Sequence, residues 1–121
     1  MKQMKILVVD DEKKIANVLA ERLEMRGFAS APAYDGTSAL ERLKAEAMDG
    51  MILDLRLPDI DGIEVLRQTR VLFPDLRVVI LSGHANDLDF KTCLDLGAIA
   101  CFQKPADIAE IIKTFNQREA F

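Results

Sequence analysis

The chain is 121 residues long, half of them hydrophobic and 30% charged, a size and composition that suggest one globular domain burying roughly two-thirds of its unfolded surface. Sixteen Lys and Arg against twenty Asp and Glu give a net charge of −4, so there is no basic footprint for nucleic acid or an anionic membrane. No apolar run approaches the roughly 18 residues of a membrane span, and the start of the chain is too short and too acidic for a signal peptide, which makes the cytoplasm the expected location.

In chain order, Ile6 to Val9 is an apolar run closed by Asp10 and Asp11, the pattern of a strand buried on both faces. Helical periodicity follows, with Ile15, Val18, Leu19 and Leu23 expected on one face, and Gly27 stands where a helix ends with a positive φ. Phe28 to Tyr34 is the weakest strand candidate, and Pro32 assigns it to a sheet edge. Asp35-Gly36 is a turn signal, and Leu40, Leu43 and Ala47 mark a second helix. Gly50 to Leu53 is the next buried strand. It ends at Asp54, with Pro58 four positions further on and a loop of turn formers, Pro58 to Gly62, beyond it. Ile63, Leu66, Thr69 and Phe73 give a third helix, broken by Pro74-Asp75.

Val78 to Leu81 is a fourth buried strand, followed at once by Ser82, Gly83 and His84. Residues 86–96 are predicted helical, although Leu88, Phe90, Cys93, Leu94 and Leu96 form no clean stripe. Gly97 closes that helix, and Ile99 to Phe102 is the fifth strand. Ile108, Ile111, Ile112 and Phe115 repeat as an amphipathic helix. Cys93 and Cys101 are too few and wrongly spaced for a disulfide framework or a zinc site, and read as small core side chains in a reducing compartment. Five strands alternating with five helices predict an α/β fold, a doubly wound five-stranded parallel sheet of flavodoxin-like (βα)5 type, as one domain over residues 1–121. An edge position for the second strand favours the order 2-1-3-4-5, with the switch point between strands one and three.

That order makes a prediction about chemistry. The residues just past strands one, three, four and five are Asp10 and Asp11, Asp54, Ser82 and Lys104, and all should converge at the switch-point crevice. Three converging carboxylates repel: two unit charges 4 Å apart cost about 4 kcal/mol at an effective dielectric near 20. An all-oxygen cluster suits a hard cation, and Mg²⁺ is favoured because it keeps several waters and needs only one or two carboxylates. Beside Mg²⁺ and a lysine, a carboxylate can act as a nucleophile toward a phosphoryl group, with Lys104 and Ser82 offering donors to its oxygens.

Val8-Val9-Asp10-Asp11, Asp54-Leu55-Arg56-Leu57-Pro58 with Asp61-Gly62, Leu81-Ser82-Gly83 and Lys104-Pro105 together resemble the receiver domains of two-component response regulators, over essentially the whole chain. The resemblance implies that Asp54 accepts a phosphoryl group from the phosphohistidine of a sensor histidine kinase or phosphotransfer protein. It implies Mg²⁺, with Mn²⁺ as a substitute, ligated by Asp11, Asp54 and the backbone carbonyl of Arg56, with Asp10 acting through water. Lys104 and Ser82 would contact the phosphoryl oxygens, and Lys104-Pro105 would be a cis peptide. Ser82 and Phe102 would form the switch, and Arg56 and His84 would tune hydrolysis of the acyl phosphate. The chemistry implied is self-directed phosphotransfer and dephosphorylation rather than turnover of a separate substrate. Phosphorylation adds about −1.5 to −2 charges, and the irregular helix over 86–96 is the expected mobile element. Leu88, Phe90, Ile99 and the last helix, within residues 86–115, are then the candidate surface for an effector or a homodimer.

Blander readings exist for each residue alone. Asp11 can N-cap the first helix, Asp54 can start an Asx turn, Phe102 can be core and His84 surface; their joint placement argues against all of these together. A phosphatase of the haloacid dehalogenase type needs a second Asp two positions past its nucleophile, where this chain has Glu12 or Arg56. FMN binding needs a Ser/Thr/Gly-rich phosphate loop where Asp10-Asp11-Glu12 stands. The remaining alternative is a constitutive flavodoxin-like protein-binding module that is never phosphorylated. The last helix begins near Asp107 and leaves only a handful of residues, consistent with a stand-alone receiver or with part of a longer regulator.

Overall fold

Runs such as Ile6–Val9 and Val78–Leu81 are apolar at every position, so neither face of the strand can meet water and each must lie inside a sheet covered on both sides. The computed structural model describes residues 3–117. In it the strands β1 (Lys5–Val9), β2 (Ala29–Ala33), β3 (Gly50–Leu53), β4 (Arg77–Ser82) and β5 (Ala100–Gln103) form one parallel sheet in the order β2-β1-β3-β4-β5. They alternate with α1 (Lys13–Met25), α2 (Gly36–Ala45), α3 (Gly62–Leu72), α4 (Asp87–Asp95) and α5 (Ile108–Asn116). Pro32 pairs beside Val8 on β2, at the sheet edge, where its missing N–H costs no ladder bond.

Alternate residues along the strands feed two cores. Ile6, Val8, Ile52, Val79 and Leu81 pack with Ala16, Ala20 and Leu23 of α1 and with Ile108, Ile111 and Phe115 of α5. Leu7, Val9, Met51, Leu53, Val78 and Ile80 pack on the other side with Leu40 and Leu43 of α2, Val65 and Leu66 of α3, and Cys93 of α4. Gly27 and Gly97 end α1 and α4 with φ of 93° and 97°, as their positions predict, a conformation that a side chain would strain.

Three sequence expectations shift. The apolar face of α1 is turned: Ala16, Ala20 and Leu23 are buried, whereas Ile15 and Val18 are 36% and 45% exposed. Small alanines let the helix lie close to the sheet. Ile15 and Val18 instead border an apolar hollow of about 580 Å³ between α1 and α5. The fifth strand runs one residue later than predicted; the Ile99 N–H already donates to the Val78 carbonyl at 2.8 Å, but its side chain is exposed. Phe90, named for the partner surface, is half-buried and also packs against the core. The poor stripe of α4 has its counterpart in the structure: Cys93 is the only residue of that helix that is buried.

The second helix is capped from two directions. Asp35 accepts from the Ser38 N–H at 2.7 Å, and Asp59, far along the chain, accepts from the Gly36 and Thr37 N–H groups at 2.8 and 2.9 Å and from its neighbour Ile60 at 2.8 Å. The Thr37 hydroxyl, followed by these amides, holds the Asp59 carboxyl below its ordinary value. A depressed folded pKa means that the stabilisation is complete above the ordinary Asp range and is lost as pH falls through and below it. We expect the Gly36 and Thr37 amide resonances to titrate together, below pH 3.8. In Asp59→Asn the neutral-pH thermal midpoint should fall and its difference from wild type should shrink in acid. Titration of those amides at or above the ordinary Asp value would refute this.

Candidate functional site

A parallel sheet puts the carboxyl ends of all its strands along one edge. Where β1 and β3 lie side by side, the chain leaves one toward β2 and the other toward β4, so the two loops diverge and open a crevice. Ladder bonds carried past the strand ends fix the residues there. The Asp10 N–H donates to the Ala33 carbonyl, the Asp54 N–H to the Val9 carbonyl and the Lys104 N–H to the Ser82 carbonyl, each at 3.0 Å.

Carboxylate oxygens of Asp10, Asp11 and Asp54 all lie within 4.8 Å of one another. Asp10 and Asp54 are buried and Asp11 is exposed. The Lys104 ammonium donates to Asp10 Oδ2 at 2.6 Å and to Asp54 Oδ2 at 3.1 Å. The second oxygen of Asp10 accepts from the Glu12 N–H at 2.9 Å, and that of Asp54 from the Arg56 N–H at 3.2 Å. The N-cap of α1 is Glu12, with no side-chain cap bond, so Asp11 is not spent as a helix cap. Burial alone would lower the Lys104 ammonium, but its hydrogen bonds to Asp10 and Asp54 outweigh that and hold it above the ordinary lysine value.

Three carboxylates against one ammonium leave a formal excess of two negative charges in a mostly buried site. The donors are all hard oxygens, with no His or Cys among them. A divalent hard cation fits this set in both charge and chemistry.

Ser82 is 1% exposed at the end of β4, and its hydroxyl oxygen lies 3.5 Å from the His84 N–H, a long contact. Ser82, Arg56 and His84 line a small cavity of about 180 Å³ together with Leu55, Asp61 and Asp89. The Arg56 and His84 side chains are exposed at its rim. Lys104-Pro105 is a cis peptide, as the resemblance implies. Phe102 is half-buried on β5 and packs against the core shared with α1 and α5.

Sequence reasoning did not anticipate how closely Gly62 approaches the site. A Cβ at Gly62 would stand 2.4 Å from Leu55 Cα and 2.6 Å from the Asp54 carbonyl oxygen. That is rigid backbone with little room to give, so only glycine lets α3 start against the end of β3.

The sequence profile of the response regulator receiver domain matches residues 6–116. The chain is 44% identical to the regulatory protein VanRc of Enterococcus gallinarum over 89% of this chain and 46% of that protein, so it spans about half of that relative's length. It is 35% identical to sporulation initiation phosphotransferase F of Bacillus subtilis, covering 92% of this chain and 90% of that protein. Among solved structures, a response regulator protein from Burkholderia pseudomallei with a phosphorylated aspartic acid, a calcium ion and citrate superposes with a TM-score of 0.88 at 30% identity, over 94% of this chain and 67% of the other. The profile match over nearly the full length, the sheet order and the acidic crevice lead to one conclusion: this chain belongs to the response regulator receiver domain family.

Proposed function

We propose that this domain takes a phosphoryl group from a phosphohistidine onto Asp54, with Mg²⁺ held in the acidic crevice, and uses the modification to alter the surface formed by residues 86–115. The observation that carries this reading is the cluster itself: three carboxylates within 4.8 Å, two of them bridged by Lys104. Asp11, Asp54 and the Arg56 carbonyl would ligate the metal, with Asp10 reaching it through water. Bound there, the cation would supply charge neutralisation for an incoming phosphoryl group.

An Asp54 carboxylate oxygen attacks phosphorus and a P–O bond forms as the P–N bond to the donor imidazole breaks. The donor ring, protonated on its other nitrogen, takes the P–N electron pair and leaves as neutral imidazole, and Asp54 carries an acyl phosphate. Lys104 Nζ, already 3.1 Å from Asp54, donates to one phosphoryl oxygen, and the Ser82 hydroxyl donates to another. Ser82 drawn toward the phosphoryl group pulls on the end of β4, and Phe102 turns into the space released. Moving such an element from 1:99 to 99:1 takes about 5.5 kcal/mol of differential stabilisation. The exposed Leu88, Leu94 and Ile99 provide the apolar contacts for an effector or a second copy. Phosphotransfer and autodephosphorylation are the chemistry of this crevice, and the kinase or phosphotransfer partner meets the domain in the cytoplasm. Among the described residues no helix is long and apolar enough to cross a membrane.

Incubation with a small phosphodonor and Mg²⁺ should add the mass of one phosphoryl group to the intact protein, and a chelator should prevent it. A wild-type protein of unchanged mass refutes the proposal. At the rim, Arg56→Ala and His84→Ala should still accept the group, because neither side chain touches the carboxylates. Their exposure beside the cavity lets them admit or block a hydrolytic water, so the decay rate of the adduct is expected to change several-fold, on the scale of one positioning contact. Decay identical to wild type in both variants would remove these residues from the account.

A further inference from the structure

The Asp59 carboxylate joins the loop after β3 to an element far from it in sequence. Its Oδ1 accepts from the Gly36 N–H at 2.8 Å and its Oδ2 from the Thr37 N–H at 2.9 Å, across 23 and 22 positions of chain. A helix start needs no such distant partner. The helices α3, α4 and α5 begin with one local cap each, Asp61, Asn86 and Asp107, and α2 already has Asp35 in that role. What the distant cap adds is a fixed place for the loop. Among the described residues, Arg56–Asp61 is otherwise hydrogen-bonded only within itself, to Asp54 through the Arg56 N–H, and to α3 through Asp61. Leu57 and Ile60 rest on the core, but apolar contact is non-directional, and the bonds from Asp59 supply the direction. The fit is close: a Cβ at Gly36 would stand 3.1 Å from Ile60 Cβ and 3.3 Å from Asp59 Oδ1. Because β2 and β3 flank β1, this tie also links the two neighbours of the strand that ends at Asp10 and Asp11.

We propose that Asp59 is a positioning residue for the metal: by clasping the N-terminus of α2, it holds the loop that carries the Arg56 carbonyl in the arrangement Mg²⁺ binds. That role rests on the proposed ligation of the ion by Asp11, Asp54 and this carbonyl. Arg56 stands three residues before Asp59 and is anchored on its other side by its N–H to Asp54 Oδ1 at 3.2 Å. A backbone carbonyl has no rotamer of its own to adjust, so it sits wherever the loop puts it. A loop already ordered in the metal-free protein loses little further freedom when the ion arrives. One released from α2 must be ordered by the ion, which weakens binding. The three carboxylates and Lys104 are untouched by Asp59, so transfer in the metal-filled site is unaltered.

The test compares Asp59→Asn with Asp35→Ala in the full chain. Asp59→Asn keeps an oxygen for the Gly36 N–H but turns an NH₂ donor toward that of Thr37. Asp35→Ala removes the local cap of the same helix, which accepts from the Ser38 N–H at 2.7 Å, and leaves the loop tied. Mg²⁺ binding to the metal-free protein is measured by calorimetry, amide exchange over 55–61 is followed without metal, and the rate of phosphoryl uptake from a small phosphodonor is recorded across Mg²⁺ concentrations. For Asp59→Asn the Mg²⁺ Kd should rise about tenfold, the low end of what losing the support of a metal ligand does. Its loop should exchange faster in the metal-free state. The Mg²⁺ concentration giving half the maximal uptake rate should rise by the same factor, while the rate at saturating Mg²⁺ stays at the wild-type level. Asp35→Ala should lose thermal stability, as a lost cap does, and keep the wild-type Kd. An unchanged Kd in Asp59→Asn overturns the proposal, and so does an equal rise in both variants, which would make Asp59 only a stabiliser of α2. Wild type that binds Mg²⁺ but takes up no phosphoryl group counts against the acceptor reading alone, since the positioning role is read from Kd; wild type that binds no Mg²⁺ ends both.

Discussion

Replacing Lys104 by Met is expected to destabilise the metal-free protein by about 2 kcal/mol in denaturant unfolding at neutral pH, a moderate value for stripping the cation from largely buried carboxylates. Asp10 and Asp54 are only 3% and 5% exposed, and the Lys104 ammonium is the only cation within bonding distance of either among the described residues. Its own side chain keeps 18% exposure, which places the cost below that of a fully buried pair. Mg²⁺ should compensate: a ligand at a hundred times its Kd stabilises by about 2.7 kcal/mol. The variant should therefore gain more from added Mg²⁺ than wild type does. Equal loss with and without Mg²⁺ would mean that Lys104 is a packing residue rather than the charge balance of the site.

Asp54→Asn removes the opposite end of the same ion pair and should change stability in the opposite direction. The substitution preserves shape and keeps an oxygen for the Arg56 N–H, but deletes one of three clustered negative charges. Repulsion of about 4 kcal/mol per pair at 4 Å and an effective dielectric near 20 is offset by the lost attraction to Lys104. A net gain on the order of 1 kcal/mol in the presence of chelator is the expected balance. The same variant should take up no phosphoryl group at all. An ordinary structural salt bridge would lose stability when either partner is removed. Opposite signs at its two ends identify an acid cluster crowded for function, and a destabilised Asp54→Asn would contradict that description.

Both predictions depend on residues that were visible in the sequence, because strands buried on both faces announce themselves by uninterrupted apolar runs. The carboxylates are the first polar residues after those runs. Once Pro32 assigned the second strand to an edge, the sheet order followed, and with it the meeting of Asp10, Asp11, Asp54 and Lys104, residues up to 94 positions apart. What stayed hidden depends on contacts made in three dimensions. The periodicity of α1 offered Ile15 and Val18 as core residues, yet Ala16 and Ala20 face the sheet because closeness of approach, rather than side-chain size, decides that packing. Asp59 read as one turn former among several, and its capping of α2 depends on the loop after β3 folding back over another helix. Gly62 matched a motif, but the reason it must be glycine lies in its distance to the Leu55 backbone.

The central claim is that the crevice exists to make Asp54 the acceptor, and locating the adduct tests it most directly. After treatment with a phosphodonor and Mg²⁺, borohydride reduces an acyl phosphate to the corresponding alcohol, and peptide mass mapping then identifies the residue that carried it. The account predicts conversion of Asp54 alone, absent when Mg²⁺ is chelated. Modification at His84, Ser82 or any other residue with Asp54 untouched, or conversion that proceeds equally without a divalent cation, would contradict it.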